Sequence, residues 1–225
     1  MGLARAGADV AIGYRVDAQA ARRTMASIER LGRRSFAVRA DLTLGAECRR
    51  IVETAVRKLG RIDILINMAS VYVQRPFDQL RAADWDAVMN IDLRAAFLCA
   101  RAAAPHMRGN GGGRIINFSD WVAKSGRPRY LGYLPYYVAK SGIIGLTEAL
   151  ALELAPDNIL VNAIAPGPIL APPATTDEES KAVEQATPLG RWGGEGEIAK
   201  VVAALLDSDF ITGETIRVDG GRHIK

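Results

Sequence analysis

Residues 62–67 read IDILIN, a short run in which four of the six side chains are apolar. Such a run predicts a strand covered on both faces, because a strand with one wet face alternates apolar and polar residues. Strands of this kind are typical of parallel sheets that carry helices on both sides. The stretch therefore indicates an α/β fold, in which the neighbouring segments alternate between strands and helices.

The segments on either side of this strand follow that alternation. Further strand-like runs lie at residues 9–14, 34–40, 113–119, 159–166 and 215–221. Segments with apolar residues at helical spacing separate them, and the longest are 82–107 and 136–156. Asp17 is a predicted helix cap and Gly60 a predicted helix end. We predict a doubly wound, Rossmann-like parallel sheet in a single domain over residues 1–225.

Composition limits the classes of partner. The formal net charge is +4, but the arginines are scattered among alanine-rich helices, so we expect no nucleic acid partner. No apolar run approaches the roughly 20 residues of a membrane span, and we expect no membrane partner. Cys48 and Cys99 lie in helix-like stretches without ligand spacing, so we predict neither a disulfide nor a metal site. A cytoplasmic location follows as the default.

The beginning of the chain departs from the doubly wound pattern. In such folds, a glycine-rich turn after the first strand places a dinucleotide's pyrophosphate on a helix N-terminus. Residues 1–10, MGLARAGADV, contain no such turn and are typical of the end of a helix that closes at Gly7. We therefore expect the first strand and its glycine loop to be absent from an N-terminally truncated chain, leaving a slot in the sheet.

Residues 166–195 are rich in proline and glycine and form the one region without a clear pattern. A loop of this length in a compact domain is usually functional. We expect it to close over a ligand. Trp121, Tyr130 and Trp192 are candidate walls of the same pocket, and Arg127 and Arg129 are candidate contacts for an anionic substrate. Local packing and solvent exposure are their alternative roles.

The stretch LPYYVAKSG, residues 134–142, carries the clearest chemistry. Tyr136 and Lys140 are four residues apart and therefore lie on one face of a helix. A free phenol has a pKa of about 10, and a nearby ammonium favours its ionised form. Such a pair can exchange protons near neutral pH. An isolated pattern of this kind is more often an ordinary helix surface, so the surrounding motifs must decide.

The order of motifs along the chain supplies that context. They are ADL (40–42), NMAS (67–70), GRIINFSD (113–120), YYVAK (136–140), VNAIAPGPI (161–169) and ITGETIRVDGG (211–221). In this order and spacing they resemble the classical short-chain dehydrogenase/reductase family over residues 2–225. The resemblance implies an NAD(P)-dependent oxidoreductase that acts on a small molecule and assembles as a homotetramer.

The resemblance also implies a role for each matching residue. Tyr136 would donate a proton to the substrate, and Lys140 would lower the pKa of Tyr136 and bind the nicotinamide ribose. The other matching positions would hold the cofactor: Asp41 and Leu42 at the adenine, Asn67 and Ala69 near the ribose, and Pro166, Gly167 and Ile169 at the nicotinamide.

Two positions depart from the family pattern. The family usually has serine where Asp120 stands, with Ser119 just before it, and an aspartate there resembles the pteridine reductases, where it assists protonation of a pterin ring. Consecutive strand residues face opposite sides, so we expect one of the two to face the site and favour Asp120. Asp92 stands where the family commonly has an asparagine that joins a proton relay to the lysine.

The preference between cofactors depends on the residue after the strand at 9–14. An acidic residue there would accept hydrogen bonds from a free ribose 2′-hydroxyl. Arg15 stands there instead and can pair with a 2′-phosphate. The sequence therefore favours NADPH over NADH.

Three functions compete at this point. The first is NADPH-dependent hydride transfer to a carbonyl or to a pterin-type C=N bond, with Tyr136 as proton donor. The second is a 3-oxoacyl-[acyl-carrier-protein] reductase or a general ketone reductase. The third, from another class, is a catalytically inactive binding protein of the same fold, which Asp92 and the absent glycine loop would fit.

Overall fold

Strands and helices alternate along the whole chain. The computed structural model describes residues 1–225. The strands are β1 (Val10–Tyr14), β2 (Ser35–Arg39), β3 (Ile64–Asn67), β4 (Gly113–Phe118), β5 (Ile159–Pro166) and β6 (Thr215–Val218). The α-helices are α1 (Gly2–Arg5), α2 (Ala18–Glu29), α3 (Gly45–Leu59), α4 (Ala82–Met89), α5 (Ala95–Gly109), α6 (Trp121–Lys124), α7 (Leu134–Leu154), α8 (Asp177–Gln185) and α9 (Glu195–Asp207).

The strands form two separate parallel sheets. One contains β1 and β2, and the other contains β3, β4, β5 and β6 in that order. Every strand pair is parallel. The predicted α/β class with parallel strands is confirmed.

Helices α3 and α5 pack together in the largest apolar core, against the four-stranded sheet. Cys48 of α3 packs with Cys99 and Met107 of α5 and with Ile115 and Val161 of the four-stranded sheet. Both cysteines are free thiols. Met107 and Ile115 are fully buried, and burial of side chains of this size stabilises the fold by about 1.5–3 kcal/mol each.

Two helix ends predicted from the sequence are confirmed. The Asp17 carboxylate accepts a hydrogen bond of 2.7 Å from the Ala20 amide at the start of α2. Helix α3 ends at Gly60, whose φ of 89° is a left-handed conformation that glycine adopts without a steric penalty.

The segment 166–195 is not one loop, because α8 lies within it. The Thr176 hydroxyl accepts a hydrogen bond from the Glu179 amide, and the Glu179 carboxylate accepts one from the Thr176 amide. This reciprocal capping box requires only the T-x-x-E spacing that the sequence carries. The prediction of a long irregular loop was therefore wrong in its middle.

The predicted helix over 82–107 also contains a break in its regular winding. Asn90–Arg94 forms a π-helical turn between α4 and α5. Such turns are rare in proteins, and those that occur are often found at functional sites. Asp92 is buried in this turn, so the wider winding coincides with a charged side chain in the interior.

Candidate active site

Most of the predicted site residues lie where the strands end. Each strand from β1 to β5 has at least one of them at or just beyond its carboxyl end. They are Arg15 at β1, Asp41 and Leu42 at β2, Asn67 and Ala69 at β3, Ser119 and Asp120 at β4, and Pro166, Gly167 and Ile169 at β5. The carboxyl ends of parallel strands form the ligand-binding edge of an open sheet. The fold therefore brings these positions to one side of the molecule.

A cavity of about 310 Å³ lies at this edge. Its lining includes Tyr136, Lys140 and Asp120, together with the segment 166–170. The volume is at the lower end of the range for small-molecule sites. The predicted proton donor, its lysine and the predicted nicotinamide segment thus share one cavity. The other predicted site residues do not line the cavity: Ser119, Asn67, Ala69, Asp41, Leu42 and Arg15.

Tyr136 and Asp120 are in direct contact. The Tyr136 hydroxyl donates a hydrogen bond of 2.9 Å to Asp120 Oδ2, while Asp120 Oδ1 accepts one of 2.8 Å from the Val122 amide and caps α6. Burial raises the pKa of the Asp120 carboxyl. Burial and the charge of Asp120 raise the pKa of the Tyr136 phenol. In this arrangement Tyr136 is a protonated hydrogen-bond donor. Its pKa is raised, whereas the nearby Lys140 was expected to lower it.

Lys140 is buried and held by two acceptors. Its ammonium donates a hydrogen bond of 3.0 Å to the Phe118 carbonyl and lies 3.2 Å from Asp92 Oδ1. The side chains of Lys140 and Asp92 are 4% and 0% exposed. An ammonium has three N–H donors, so one remains for a ligand. The nitrogen lies 5.6 Å from the centre of the Tyr136 ring.

Asp92 is the counter-ion of that lysine. Its Oδ1 also accepts a hydrogen bond from the Ser70 hydroxyl, and its Oδ2 accepts one of 3.0 Å from the Val71 amide. Ser70 is exposed, so a hydrogen-bonded path runs from Lys140 through Asp92 to the surface. The sequence identified Asp92 only as a departure from a pattern, and its pairing with Lys140 spans 48 residues that no local spacing connects.

Ser119 and Asp120 point in different directions. The Ser119 hydroxyl is buried and donates a hydrogen bond of 2.8 Å to the Lys140 carbonyl. It therefore anchors α7 against β4. Asp120 lines the cavity and contacts Tyr136.

Asn67 is held in place at the end of β3. Its side-chain amide donates a hydrogen bond of 2.9 Å to Asn117, whose own amide donates one of 3.0 Å to the Thr147 hydroxyl. Asn117 and Thr147 are fully buried. This chain of polar contacts fixes the carboxyl ends of β3 and β4 against α7, a role the sequence did not indicate for Asn117.

The residues after β1 and β2 are separated from the cavity. Arg15 is exposed, and its carbonyl accepts a hydrogen bond of 3.2 Å from Arg39. Hydrogen bonds from the Thr43 hydroxyl and amide, at 2.7 and 3.0 Å, lower the pKa of Asp41. Leu42 packs against the core between α3 and α5, and Ala69 is exposed.

Gly167 has a structural role that the sequence did not reveal. A Cβ atom at this position would lie 2.5 Å from the Asp219 Cβ atom and 2.7 Å from its Cα atom. The Gly167 amide also donates a hydrogen bond of 2.9 Å to the Val218 carbonyl. Glycine is therefore required for the close approach of the segment after β5 to the turn after β6.

Aromatic and basic side chains form the cavity walls. Tyr72 stacks on Tyr133 with ring centres 4.3 Å apart and meets the Tyr136 ring edge-on at 4.8 Å. The guanidinium groups of Arg129 and Arg222 lie 5.2 and 5.8 Å from the Trp121 ring centre. The sequence indicated Trp121, Tyr130, Trp192 and Arg129 but not Tyr72, Tyr133 or Arg222. Of these three, Tyr72 and Arg222 reach the cavity from distant segments.

Two further observations describe the chain as a whole. No group of three or more His, Cys, Asp or Glu side chains is arranged to hold a metal ion. None of the helices combines the length and apolar character that crossing a membrane requires.

The sequence is similar to known oxidoreductases along its whole length. Residues 1–223 match the family model described as enoyl-(acyl carrier protein) reductase. The chain is 34% identical over 226 residues to the 3-oxoacyl-[acyl-carrier-protein] reductase FabG of Staphylococcus aureus, which covers 99% of this chain and 91% of that protein.

Solved structures give the same result at the level of the fold. The acetoin dehydrogenase of Enterobacter cloacae has a TM-score of 0.89 and 38% identity, covering 99% of this chain and 88% of that one. A blue fluorescent protein from a metagenomic library, in complex with NADPH, has a TM-score of 0.90 and 34% identity, covering 98% and 90% of the two chains. The architecture is therefore shared with enzymes of this kind.

Proposed function

Because the chain belongs to the short-chain dehydrogenase/reductase family, we propose that this NAD(P)-dependent oxidoreductase uses NADPH to reduce a ketone, with Tyr136 as proton donor. The observation that carries the proposal is the Tyr136 hydroxyl in a cavity, hydrogen-bonded to Asp120 and one helical turn from a buried Lys140. This geometry offers a proton beside a positive charge, which a reduced carbonyl oxygen requires.

The nicotinamide end of the cofactor fits the residues around Lys140. The third N–H of its ammonium is available for a ribose hydroxyl, and Pro166, Gly167 and Ile169 line the same cavity. When bound there, the cofactor supplies the hydride. Lys140 and the segment at 166–169 orient it relative to Tyr136.

The adenosine end would lie along the edge of the β1–β2 sheet. Asp41 and Leu42 flank the adenine in this proposal, and Asn67 and Ala69 lie near the ribose. The exposed guanidinium of Arg15 supports binding of a 2′-phosphate, since a charge-assisted contact of this kind is among the stronger hydrogen bonds.

Tyr136 supplies the proton, and Asp120 is its hydrogen-bond partner. Tyr136 donates its proton to the substrate oxygen as the carbonyl carbon accepts hydride, and the product is an alcohol. The phenolate that forms faces Lys140 on one side and Asp120 on the other. Burial raises the pKa of Asp120, so its carboxylate is suited to take up a proton from solvent and pass it to the Tyr136 phenolate.

The substrate alternatives differ in their support. A FabG-type 3-oxoacyl thioester or a small ketone is favoured, because named relatives are a 3-oxoacyl-[acyl-carrier-protein] reductase and an acetoin dehydrogenase. A pterin-type C=N substrate is supported by one feature, the aspartate in contact with Tyr136. A catalytically inactive binding protein would have no need for a buried lysine with a free N–H beside that tyrosine.

Oxidation of NADPH and NADH by the purified protein distinguishes these functions. With acetoacetyl thioesters or acetoin we expect turnover that is faster with NADPH, and with dihydrobiopterin little or none. In Arg15→Ala the preference for NADPH should fall at least about tenfold, as for a lost charge-assisted contact. An unchanged preference would remove Arg15 from the proposal, and failure to bind either cofactor would favour the inactive alternative.

We further propose a homotetramer in the cytoplasm. Phe97 on α5 and Leu152 on α7 are 40% and 80% exposed, and apolar side chains on outer helix faces suit contacts between subunits. Two free cysteines are in keeping with a reducing compartment.

A further inference from the structure

We propose that the substrate is a planar aromatic ketone that carries a carboxylate, and that Arg129 and Arg222 bind this carboxylate while the aromatic walls hold the ring. The inference rests on the proposed ketone reductase function and adds the chemical class of its substrate. It follows from two independent features of the cavity: the aromatic side chains in its walls, and the pairing of the charged side chains that line it.

Aromatic side chains make up a third of the cavity walls, seven of the 21 lining residues. The cavity is lined by five of the six tyrosines and two of the three tryptophans of the chain, and by none of its five phenylalanines. Flat rings favour stacked or edge-on contacts with other flat rings. The residues are Tyr72, Tyr130, Tyr133, Tyr136, Tyr137, Trp121 and Trp192.

Tyr72 shows how these walls are organised next to the reaction centre. It stacks on Tyr133 with an interplanar angle of 18° and meets Tyr136 edge-on at 78°. The three rings therefore form one continuous aromatic surface that includes the ring of Tyr136. A planar substrate that lies on this surface has its carbonyl oxygen near Tyr136.

The two arginines are available for an anion. Arg129 donates one hydrogen bond of 3.0 Å to the terminal carboxylate of Lys225, and Arg222 donates one of 2.9 Å to the Val183 carbonyl. Neither forms an ion pair with an acidic side chain. A guanidinium has five N–H donors in a planar fork that matches a carboxylate. Both groups therefore retain unused N–H donors.

The charge balance of the cavity supports the same conclusion. Four charged residues line it: Asp120, Lys140, Arg129 and Arg222. Lys140 is neutralised by Asp92, and Asp120 is engaged by Tyr136 and the Val122 amide. Arg129 contacts the terminal carboxylate of Lys225, and Arg222 is the charge left without a counter-ion. An acidic substrate would supply it.

The reaction leaves the carboxylate unchanged. Hydride from NADPH forms a C–H bond at the ketone carbon, the C=O π bond breaks, and the oxygen takes the proton of Tyr136. The products are a secondary alcohol and NADP⁺. The carboxylate serves only to anchor the ring, so its loss should appear mainly as a higher KM.

The test compares 4-acetylbenzoate with 4-acetylbenzamide, which has nearly the same shape and no charge. For the wild-type protein we expect kcat/KM at least about tenfold higher for the acid, as for one charge-assisted contact. Arg129→Ala and Arg222→Lys should reduce kcat/KM for the acid and leave the amide within about twofold. Arg222→Lys keeps the positive charge and loses only the planar guanidinium that can hold a carboxylate with two hydrogen bonds. Turnover of the amide shows that each variant is folded.

Arg127→Ala is the matched control, since Arg127 is exposed in the same loop as Arg129 and does not line the cavity. It should leave both substrates unchanged. A third compound, 4-oxopentanoate, carries the same charge on an aliphatic ketone and should react about tenfold less well than 4-acetylbenzoate.

Equal kcat/KM for the acid and the amide, or equal losses for both in the arginine variants, would overturn the inference. So would turnover of acetoin or acetoacetyl thioesters without turnover of 4-acetylbenzoate. In each of these cases the proposed ketone reductase function would stand. Absence of turnover with every ketone would instead contradict the proposed function itself.

Discussion

At the scale of single residues, two carboxylates and one ammonium surround Tyr136. Asp120 accepts the phenol's hydrogen bond, and Asp92 neutralises Lys140 from the interior. Both carboxylates raise the pKa of the phenol. The site is thus arranged to keep Tyr136 protonated until a cofactor and substrate bring further charge into the cavity.

Replacing Asp92 with alanine would leave the Lys140 ammonium buried without its counter-ion. Removal of one partner from such a pair costs about 3–5 kcal/mol, so we expect a large fall in the urea midpoint. Asp92→Asn keeps the shape and an acceptor for the Val71 amide and should cost less. As a control, Glu197→Ala breaks a surface pair with Lys200 and should leave the midpoint nearly unchanged.

If Asp92→Ala unfolded at the same urea concentration as the wild type, the buried pair would not be a stabilising unit. The comparison with Asp92→Asn separates the contribution of the charge from that of the hydrogen bonds.

Replacing Asp120 with asparagine should stabilise the protein at neutral pH. Burial raises the pKa of the Asp120 carboxyl in the folded state. As pH rises, the carboxyl therefore loses its proton in the unfolded chain before it does so in the folded protein. The free energy of unfolding falls as a result once the pH exceeds about 4, the ordinary pKa of an aspartate. Asparagine has no such titration and still caps α6. We expect a higher Tm than wild type at pH 7 and equal Tm values near pH 3.

The contrary outcome is a lower Tm for Asp120→Asn than for the wild type at pH 7, with the same difference in Tm near pH 3. That result would show that the carboxylate stabilises the fold. In that case, the hydrogen bonds from Tyr136 and Val122 would outweigh the effect of burial.

Contacts between residues close in the chain could be predicted from the sequence. Contacts between residues that the fold brings together from distant segments could not. The spacing of Tyr136 and Lys140 gives one helix face directly. Asp92 reaches Lys140 only because a π-helical turn packs against α7, and Arg222 reaches the cavity from the end of the chain. Such contacts depend on the path of the backbone between the elements.

At the scale of elements, the ends of β5 and β6 depend on a glycine. Gly167→Ala would place a Cβ atom 2.5 Å from that of Asp219, and overpacking of this kind costs about 1–3 kcal/mol. We expect a lower Tm and weaker cofactor binding, because the segment from Pro166 must shift. Chemical denaturation and equilibrium titration with NADPH measure the two effects.

The control for this substitution is Gly145→Ala in α7. No atom lies within 4 Å of a Cβ atom added there, and alanine has the higher helix propensity, so stability should rise by about 0.5–1 kcal/mol. Destabilisation by both changes would mean that the close contact with Asp219 is not the cause.

Helix α8 illustrates the limits of reading elements from composition. Proline and glycine around it suggested a loop, yet its capping box of Thr176 and Glu179 was present in the sequence. The strands were more predictable, because their apolar runs match the burial of the sheet. β5, for example, is buried at seven of its eight positions.

At the scale of the whole molecule, the interruption of the sheet should produce unequal stability. β5 is flanked by β4 and β6, whereas β1 pairs only with β2 and has no fully buried residue. We expect amide hydrogens of β1 and β2 to exchange at least about tenfold faster than those of β4 and β5. Uniform protection across both sheets, measured by mass spectrometry, would contradict this.

The alternation of strands and helices made the overall fold predictable from sequence. The α/β class and the parallel strands followed from short apolar runs and helical spacing, and the family followed from the order of motifs. The shape of the cavity was not predictable, since its walls come from segments as distant as Tyr72 and Arg222.

The most direct test of the account is the removal of one oxygen atom. Tyr136→Phe keeps the ring that Tyr72 contacts but loses the proton donor, so kcat for NADPH-dependent ketone reduction should fall by about 10²–10⁴-fold. NADPH should still bind with nearly unchanged affinity. Tyr14→Phe, which removes the hydroxyl of the one tyrosine outside the cavity, should retain wild-type turnover. Full activity of Tyr136→Phe would contradict the assignment of Tyr136 as the proton donor.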